Sequence, residues 1–76
     1  MARFHFDLHA DGKTTVDTAG RELQDADAAE RHAREILANL TSALLLNGGD
    51  FERAIEIRTN NNPVVRIVVK SKIHRF

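Results

Sequence analysis

The sequence contains one apolar stripe long enough for a helix, and on both sides of it lie segments that alternate between apolar and polar residues. This arrangement limits the folds that the chain can adopt. Asp25 stands at the N-cap position of the predicted helix, and the glycines at 48 and 49 can end it. Because no second helical pattern is present, the flanking segments must supply the surface against which the stripe packs. The stripe falls within about residues 26–46 and consists of Ala26, Ala29, Ala33, Ile36, Leu37, Leu40 and Leu44.

The segments before and after this helix each predict a β-hairpin. In the first, strands at about 3–9 and 13–17 are joined by a turn at Asp11-Gly12. In the second, strands near 54–59 and 64–70 are joined by three asparagines and Pro63. Since side chains alternate between the two faces of a strand, one face of each predicted strand is apolar. We expect that face to carry Phe4, Phe6, Leu8, Ile55, Ile57, Val65, Ile67 and Val69.

These elements predict an α+β fold of two layers. The order β-β-α-β-β gives a four-stranded, mostly antiparallel sheet with one helix packed on one face. We favour the spatial order 2-1-3-4, in which every neighbouring pair is antiparallel and the helix supplies one crossover. The chain of 76 residues is expected to be a single domain, 1–76, with a basic tail at about 71–76 that is a candidate for disorder.

Composition excludes several classes of protein. A hydrophobic fraction of 42% and a charged fraction of 29% are typical of a folded globular domain. The absence of cysteine rules out a disulfide framework, a thiolate zinc site and a thiol nucleophile, and it fits a reducing cytoplasm. No signal sequence and no membrane-spanning apolar run is evident. We therefore expect a cytoplasmic protein that has no cofactor, contacts no membrane and is not an enzyme.

The polar residues of the first strand raise the possibility of a metal site. His5, Asp7 and His9 alternate with apolar residues and so share one face. Successive members of such a row stand about 6.6 Å apart, which permits two histidines and a carboxylate to reach one divalent ion. The alternative is favoured: a sheet covered on one side by a single helix presents its other side to water, and polar residues suffice there.

Charge is distributed unevenly, which raises a second possibility. Residues 1–30 hold seven acids and three bases, whereas from Arg53 onward there are six bases and one acid. Such asymmetry is found in proteins that bind nucleic acid, and the residues available for phosphate contacts are Arg58, Arg66, Lys70 and Lys72. The chain has no tyrosine or tryptophan, however, and the polar face of the predicted sheet lacks stacking aromatics. Cross-strand pairing of Arg58 or Arg66 with Asp7 or Glu56 explains the charges equally well.

The function class that we rank first is a small protein-interaction module, homodimeric or binding another partner. Leu45 and Leu46 fall off the helical stripe, Val64 and Val68 point to the polar face, and the last strand is a hydrophobic edge. An isolated structural monomer ranks close behind, with the helix ending before Leu46 and its leucines packed under the glycine loop.

Two segments, RFHFDLHADG and DTAGRELQDADAAERHA, resemble a family of small uncharacterised alphaproteobacterial proteins. The resemblance covers about residues 3–69. It implies a fold and a bacterial cytoplasmic setting but no activity. Its most specific residues have structural explanations in turns and helix capping, and a cation site formed by Asp17, Glu22 and Asp25 is the alternative. Those specific residues are Asp17, Gly20, Glu22, Leu23, Asp25 and Ala29.

Overall fold

The computed structural model describes residues 1–76, which form five strands and one helix. A single helix packs on one face of an antiparallel sheet, so the predicted α+β class is confirmed. The elements are β1 (Ala2–Ala10), β2 (Lys13–Thr15), β3 (Arg21–Leu23), α1 (Ala26–Asn47), β4 (Phe51–Thr59) and β5 (Asn62–Ser71).

The main path of the sheet runs β2-β1-β4-β5, with every neighbouring pair antiparallel. This is the predicted order 2-1-3-4, because the additional strand β3 turns the predicted third and fourth strands into β4 and β5. β1 and β4 lie in the centre, as expected. The register places Leu8 opposite Ile55 and Ile55 opposite Ile67. Because directly opposed residues share a face, these pairs form continuous apolar rows beneath α1.

The core lies between those rows and α1. Its buried centre consists of Phe4, Ala29, Ala33, Leu37, Ile55 and Ile57. Around it pack Phe6, Leu8, Leu23, Ile36, Val65, Ile67 and Val69. Every sheet residue that we expected on the helix side belongs to one of these two groups, which confirms the register. The alanines at 29 and 33 leave room for α1 to approach the sheet closely.

The prediction of four strands was wrong by one strand. Arg21–Leu23 forms β3, which pairs antiparallel with Ala2–Phe4. Our prediction assigned no strand to this segment. A three-residue strand is too short to show an alternating pattern, and β3 is defined by its pairing with β1. The return strand β2 correspondingly ends at Thr15 and does not reach Asp17.

The stripe on α1 is also displaced from the one that we predicted. Ala26 and Leu40 are exposed, while Thr41 is buried and donates its hydroxyl to the Leu37 carbonyl at 2.7 Å. Residue 41 lies four positions after 37 and eight after 33, so it shares their face of the helix. The side chain of Asp25 accepts a hydrogen bond from the N–H of Ala28 at 2.9 Å, which confirms the N-cap.

The C-terminal end of the helix and the last hairpin differ in detail from expectation. Leu45 and Leu46 lie within α1 and are exposed, so they do not pack under the following loop. The turn between β4 and β5 is reduced to residues 60–61, and Pro63 belongs to β5 next to a bulge. Beyond β5, the N–H of Ile73 donates to Asp50 Oδ1 at 2.8 Å. No helix combines the length and apolar character that a membrane crossing requires.

Candidate functional site

The face of the sheet opposite α1 carries the polar row of β1, but this row is not uniformly exposed. Asp7 retains only 6% of its accessible surface. Its Oδ2 accepts a hydrogen bond from Arg58 Nε at 2.7 Å, and Arg66 Nη2 lies 3.6 Å from Glu56 Oε1. The predicted cross-strand pairing of acids and bases is therefore confirmed for both arginines. Because β1 and β4 are adjacent, residues from the two ends of the chain neutralise each other here.

The segment between β2 and β3 closes over this ion pair through Asp17. The N–H of Asp17 donates to Asp7 Oδ1 at 2.9 Å, and Arg58 Nη2 donates to the Asp17 carbonyl at 2.8 Å. The Asp17 carboxylate in turn accepts from the N–H groups of Phe6 at 3.1 Å and Gly20 at 3.0 Å. We refer to Asp7, Asp17 and Arg58 as the polar network. It satisfies main-chain donors that the short strands β2 and β3 leave unpaired.

The polar network shifts the ionisation of its members. Burial opposes the ionisation of Asp7, but hydrogen bonds from Arg58 and the Asp17 N–H outweigh it and lower the pKa of Asp7. Burial likewise opposes ionisation of Asp17, and N–H donors led by Gly20 and Phe6 lower its pKa. The hydrogen bond to Asp7 raises the pKa of Arg58. All three groups are therefore charged at neutral pH, as a structural ion pair requires.

His5 and Gly20 lie in contact at the edge of the polar network. His5 Nδ1 is 2.8 Å from the Asp17 carbonyl, so this nitrogen carries the proton and donates. Gly20 has a φ of +72°, and a Cβ at this position would lie 2.9 Å from His5 Cε1. Gly20 is thus required both by its backbone conformation and by the imidazole ring that packs against it.

The first-strand row does not converge on a common point. His5 and Asp7 are held by the polar network, while His9 Nδ1 lies 2.9 Å from Thr14 Oγ1. No group of three or more histidine, cysteine or acidic side chains is arranged to hold a metal ion. The second acidic set also separates: Glu22 pairs with Arg3 at 3.4 Å and Asp25 caps α1.

The four basic residues considered for phosphate binding fall into two groups. Arg58 is 19% exposed in its side chain and is committed to Asp7, the Asp17 carbonyl and the Asn60 carbonyl. Arg66, Lys70 and Lys72 line an open groove of about 690 Å³ at the end of the sheet. The tip of the β1–β2 hairpin, which contains Lys13, also lines this groove. The basic groove residues are Lys13, Arg66, Lys70 and Lys72.

The outer edge of β5 is the longest unpaired edge of the sheet. β5 has ten residues and ends the path, whereas the short strands β2 and β3 line β1. Val64 and Val68, on the face opposite α1, are 43% and 48% exposed. The odd-numbered residues Val65, Ile67 and Val69 pack against the core on the other face. Both faces of the edge therefore offer apolar surface.

Two hydrogen bonds establish which main-chain groups point outward from β5. The N–H of Ile73 donates to Asp50 and so points toward the β4 side. The N–H of Phe6 donates to Asp17, and the strand registers carry this alternation across the sheet to β5. Because successive peptide groups of a strand point in opposite directions, the outward groups belong to Arg66, Val68 and Lys70.

Comparison with known proteins identifies the family of this chain. The family model described as a domain of unknown function, DUF6894, matches residues 3–69. The chain belongs to this family. Neither the curated proteins nor the solved structures contain a significant match to it. The matched span agrees with the extent of the resemblance noted from the sequence, and the family description assigns no function.

In this DUF6894 domain, the residues that carry the resemblance have identifiable structural roles. Asp17 and Gly20 hold the β2–β3 segment, Asp25 caps α1, and Leu23 packs against the core. Sequence reasoning placed Asp17 in a turn and missed its contacts with β1 and Arg58. No local signal could have revealed them, because they depend on the pairing of β1 with β4 across the whole chain.

Proposed function

We propose that this DUF6894 domain is a protein-interaction module that binds an extended strand along the free edge of β5. The observation that carries the proposal is a ten-residue edge strand with outward main-chain groups at 66, 68 and 70 and apolar side chains on both faces. Strand addition to such an edge obtains affinity from main-chain hydrogen bonds and specificity from alternate side chains.

The edge of β5 carries some of the features that protect isolated edge strands, but they leave its main-chain groups open over most of its length. Natural edges are often short, carry charged side chains, or are interrupted by proline or bulges, and β5 has Arg66 and Lys70 on one face. In β5, Pro63 and the bulge opposite Ile57 and Arg58 both lie at the beginning of the strand. Residues 65–71 continue as regular strand, so the available pairing surface extends over most of β5.

The side chains beside the edge specify the chemistry of the partner strand. Toward α1, the partner would contact the apolar row that includes Ile67. On the other face it would meet alternating valines and bases, with Arg66 and Lys70 exposed. A strand with apolar residues on one face and valine or acidic residues on the other complements both rows. The proposed setting is the bacterial cytoplasm, which the family resemblance and the lack of cysteine support.

A selection from a library of unstructured displayed peptides tests this proposal. The library is sorted against the wild-type chain and two variants, Val68→Pro and Val68→Ala. Both variants lose the valine side chain, but only proline removes the outward N–H at this position. We expect alternating apolar peptides that bind wild type and Val68→Ala but not Val68→Pro. Absence of enrichment, or equal binding to the folded proline variant, would refute edge recognition.

A second candidate function is the binding of nucleic acid in the basic groove. It is supported by one observation, the placement of Lys13, Arg66, Lys70 and Lys72 around the same opening. Acidic residues Asp11, Asp50 and Glu52 line it as well, but the first two are engaged by Arg53 and the Ile73 N–H. Gel-shift assays with mixed oligonucleotides at rising salt would test it. Retention that is lost in Lys70→Glu supports the candidate, whereas no retention at low salt removes it.

A further inference from the structure

We infer that the strand recognised by β5 is β5 of a second copy of this chain, paired antiparallel about a two-fold axis that passes beside Ile67. This inference rests on the proposed use of the β5 edge and adds the identity and register of its partner. The arrangement would join two sheets into one continuous sheet, with both helices on the same face.

Matching of the two faces restricts the registers that are possible. Directly opposed residues of an antiparallel pair lie on the same face of the sheet. From Val64 to Lys70, odd-numbered residues of β5 face α1 and even-numbered residues face away, whereas the bulge reverses this alternation at Asn62 and Pro63. A symmetric pair must therefore be centred on a residue, and near-complete overlap of Asn62–Ser71 allows centres at Arg66, Ile67 or Val68.

The charges of β5 distinguish these registers. Centring on Arg66 sets the guanidinium against the partner's Arg66. Centring on Val68 sets Arg66 against the partner's Lys70, twice. Like charges directly opposed across strands are destabilising. Centring on Ile67 places Arg66 opposite the partner's Val68 and Lys70 opposite the partner's Val64, so that each base meets a valine. A register centred on Val65 also avoids opposed charges, but it leaves the C-terminal end of β5 unpaired.

The register centred on Ile67 also uses the main-chain groups and the apolar row. The N–H and C=O groups of Arg66 and Val68 point outward, so each pair of these residues would exchange both main-chain hydrogen bonds. On the helix side, Ile67 meets the partner's Ile67 and Val65 meets the partner's Val69. The apolar layer under α1 would thus continue across the axis without an interruption by charge.

Two opposite charges at position 68 test the register with a built-in control. Because the wild-type net charge is zero, Val68→Glu and Val68→Lys acquire net charges of equal size and opposite sign. In the register centred on Ile67, the introduced carboxylate faces the partner's Arg66 on both sides of the axis, whereas the introduced ammonium repels it. Sedimentation over a concentration series should show dimerisation about fivefold tighter in Val68→Glu and about fivefold weaker in Val68→Lys.

Cysteine cross-linking supplies an independent test of the axis. The chain has no cysteine, so Ile67→Cys can form a disulfide only with a second copy. Opposed residues of a non-hydrogen-bonded pair have Cα atoms about 4.5 Å apart, which is within the range of a disulfide. Oxidation of Ile67→Cys should give a linked dimer. Val65→Cys is the matched control, because its partner position is the partner's Val69, and it should remain unlinked.

The outcomes separate this inference from the proposed function. A dimer that is lost in Val68→Pro, retained in Val68→Ala and strengthened in Val68→Glu supports both. A chain that stays near 8.5 kDa at all concentrations overturns the inference, and the proposed function then stands if selected peptides still bind β5. A dimer unaffected by Val68→Pro, or with equal affinities in the glutamate and lysine variants, also overturns it. Failure of both dimerisation and peptide binding overturns both.

Discussion

Arg58 Nε lies 2.7 Å from Asp7 Oδ2, and this contact joins residues 51 positions apart in the sequence. Through Asp17, the same contact also fixes the segment between β2 and β3. The face of the sheet opposite α1 is therefore held over β1 and β4 by the polar network around the buried Asp7, and it is open over β5. This difference explains why the edge of β5, and not the row on β1, is the candidate for interaction.

Replacement of Asp7 with asparagine should destabilise the domain. The amide keeps an oxygen for the Asp17 N–H but removes the charge that Arg58 Nε and the network require. Leaving the part-buried Arg58 donor without its charged partner should lower the free energy of unfolding by about 1–3 kcal/mol. Urea unfolding monitored by circular dichroism would measure the decrease in the free energy of unfolding.

A double-mutant cycle with Arg58→Met provides the control for this prediction. Because Asp7 and Arg58 are in direct contact, the effects of the two substitutions should be less than additive. Additive effects would show that the two side chains contribute independently, in contradiction to the network.

Stability should decrease in acid because of Asp7 and Asp17. Hydrogen bonding in the folded state outweighs burial and lowers the pKa of both carboxyls below the ordinary 3.8. As the pH falls, these carboxyls therefore take up protons in the unfolded chain before they do so in the folded one. The stability that the two carboxylates contribute is complete well above pH 3.8 and is lost as the pH falls through their lower folded pKa values. Thermal melts across this range should show a declining melting temperature. The decline should be shallower in Asp7→Asn, and an identical slope would contradict the assignment.

Substitution of Gly20 by alanine should lower the free energy of unfolding more than the same substitution of Gly12. The two glycines have nearly equal φ values, +72° and +74°, but only Gly20 has the His5 ring 2.9 Å from the added Cβ. Gly12→Ala should cost about 1 kcal/mol from its backbone conformation, and Gly20→Ala about 2–3 kcal/mol because of the added contact. Chemical unfolding of both variants gives the comparison. Equal losses would show that the His5 contact has no energetic effect.

Removal of the helix cap should have a moderate effect. The Asp25 carboxylate accepts from the Ala28 N–H at 2.9 Å, so Asp25→Ala should lower the free energy of unfolding by about 1 kcal/mol. Asp27→Ala is the matched control, since Asp27 lies in the first turn of α1 but does not cap it. Its effect should be a few tenths of a kcal/mol. The result would contradict the cap if Asp27→Ala were the more damaging variant.

The sequence was sufficient to predict the layers of the fold because its patterns are local. Alternation in β1, β4 and β5 identified the apolar face, and Asp25 marked the start of α1. The antiparallel order followed from connectivity. The strand β3 has only three residues, so its pairing with the start of β1 left no periodic signal.

The sequence did not allow us to predict the role of Asp17 in the polar network. Pairing of Arg58 with Asp7 was one of several charge pairings compatible with adjacent strands. The position of Asp17 depends on how the five residues after β2 cross the sheet, and no periodicity constrains such a segment. Burial of Asp7 follows from that crossing, which is why a strand residue expected to face water is enclosed.

Hydrogen exchange at the amides of β5 is the most direct measurement of association through its edge. The N–H groups of Arg66, Val68 and Lys70 point away from β4, whereas that of Ile67 lies within the sheet. In dilute solution, we predict rapid exchange at 66, 68 and 70 and slow exchange at 67. As the chain concentration rises, the three outward amides should become protected while Ile67 changes little. Outward amides that exchange at the same rapid rate at every concentration would contradict pairing of β5 with a second copy.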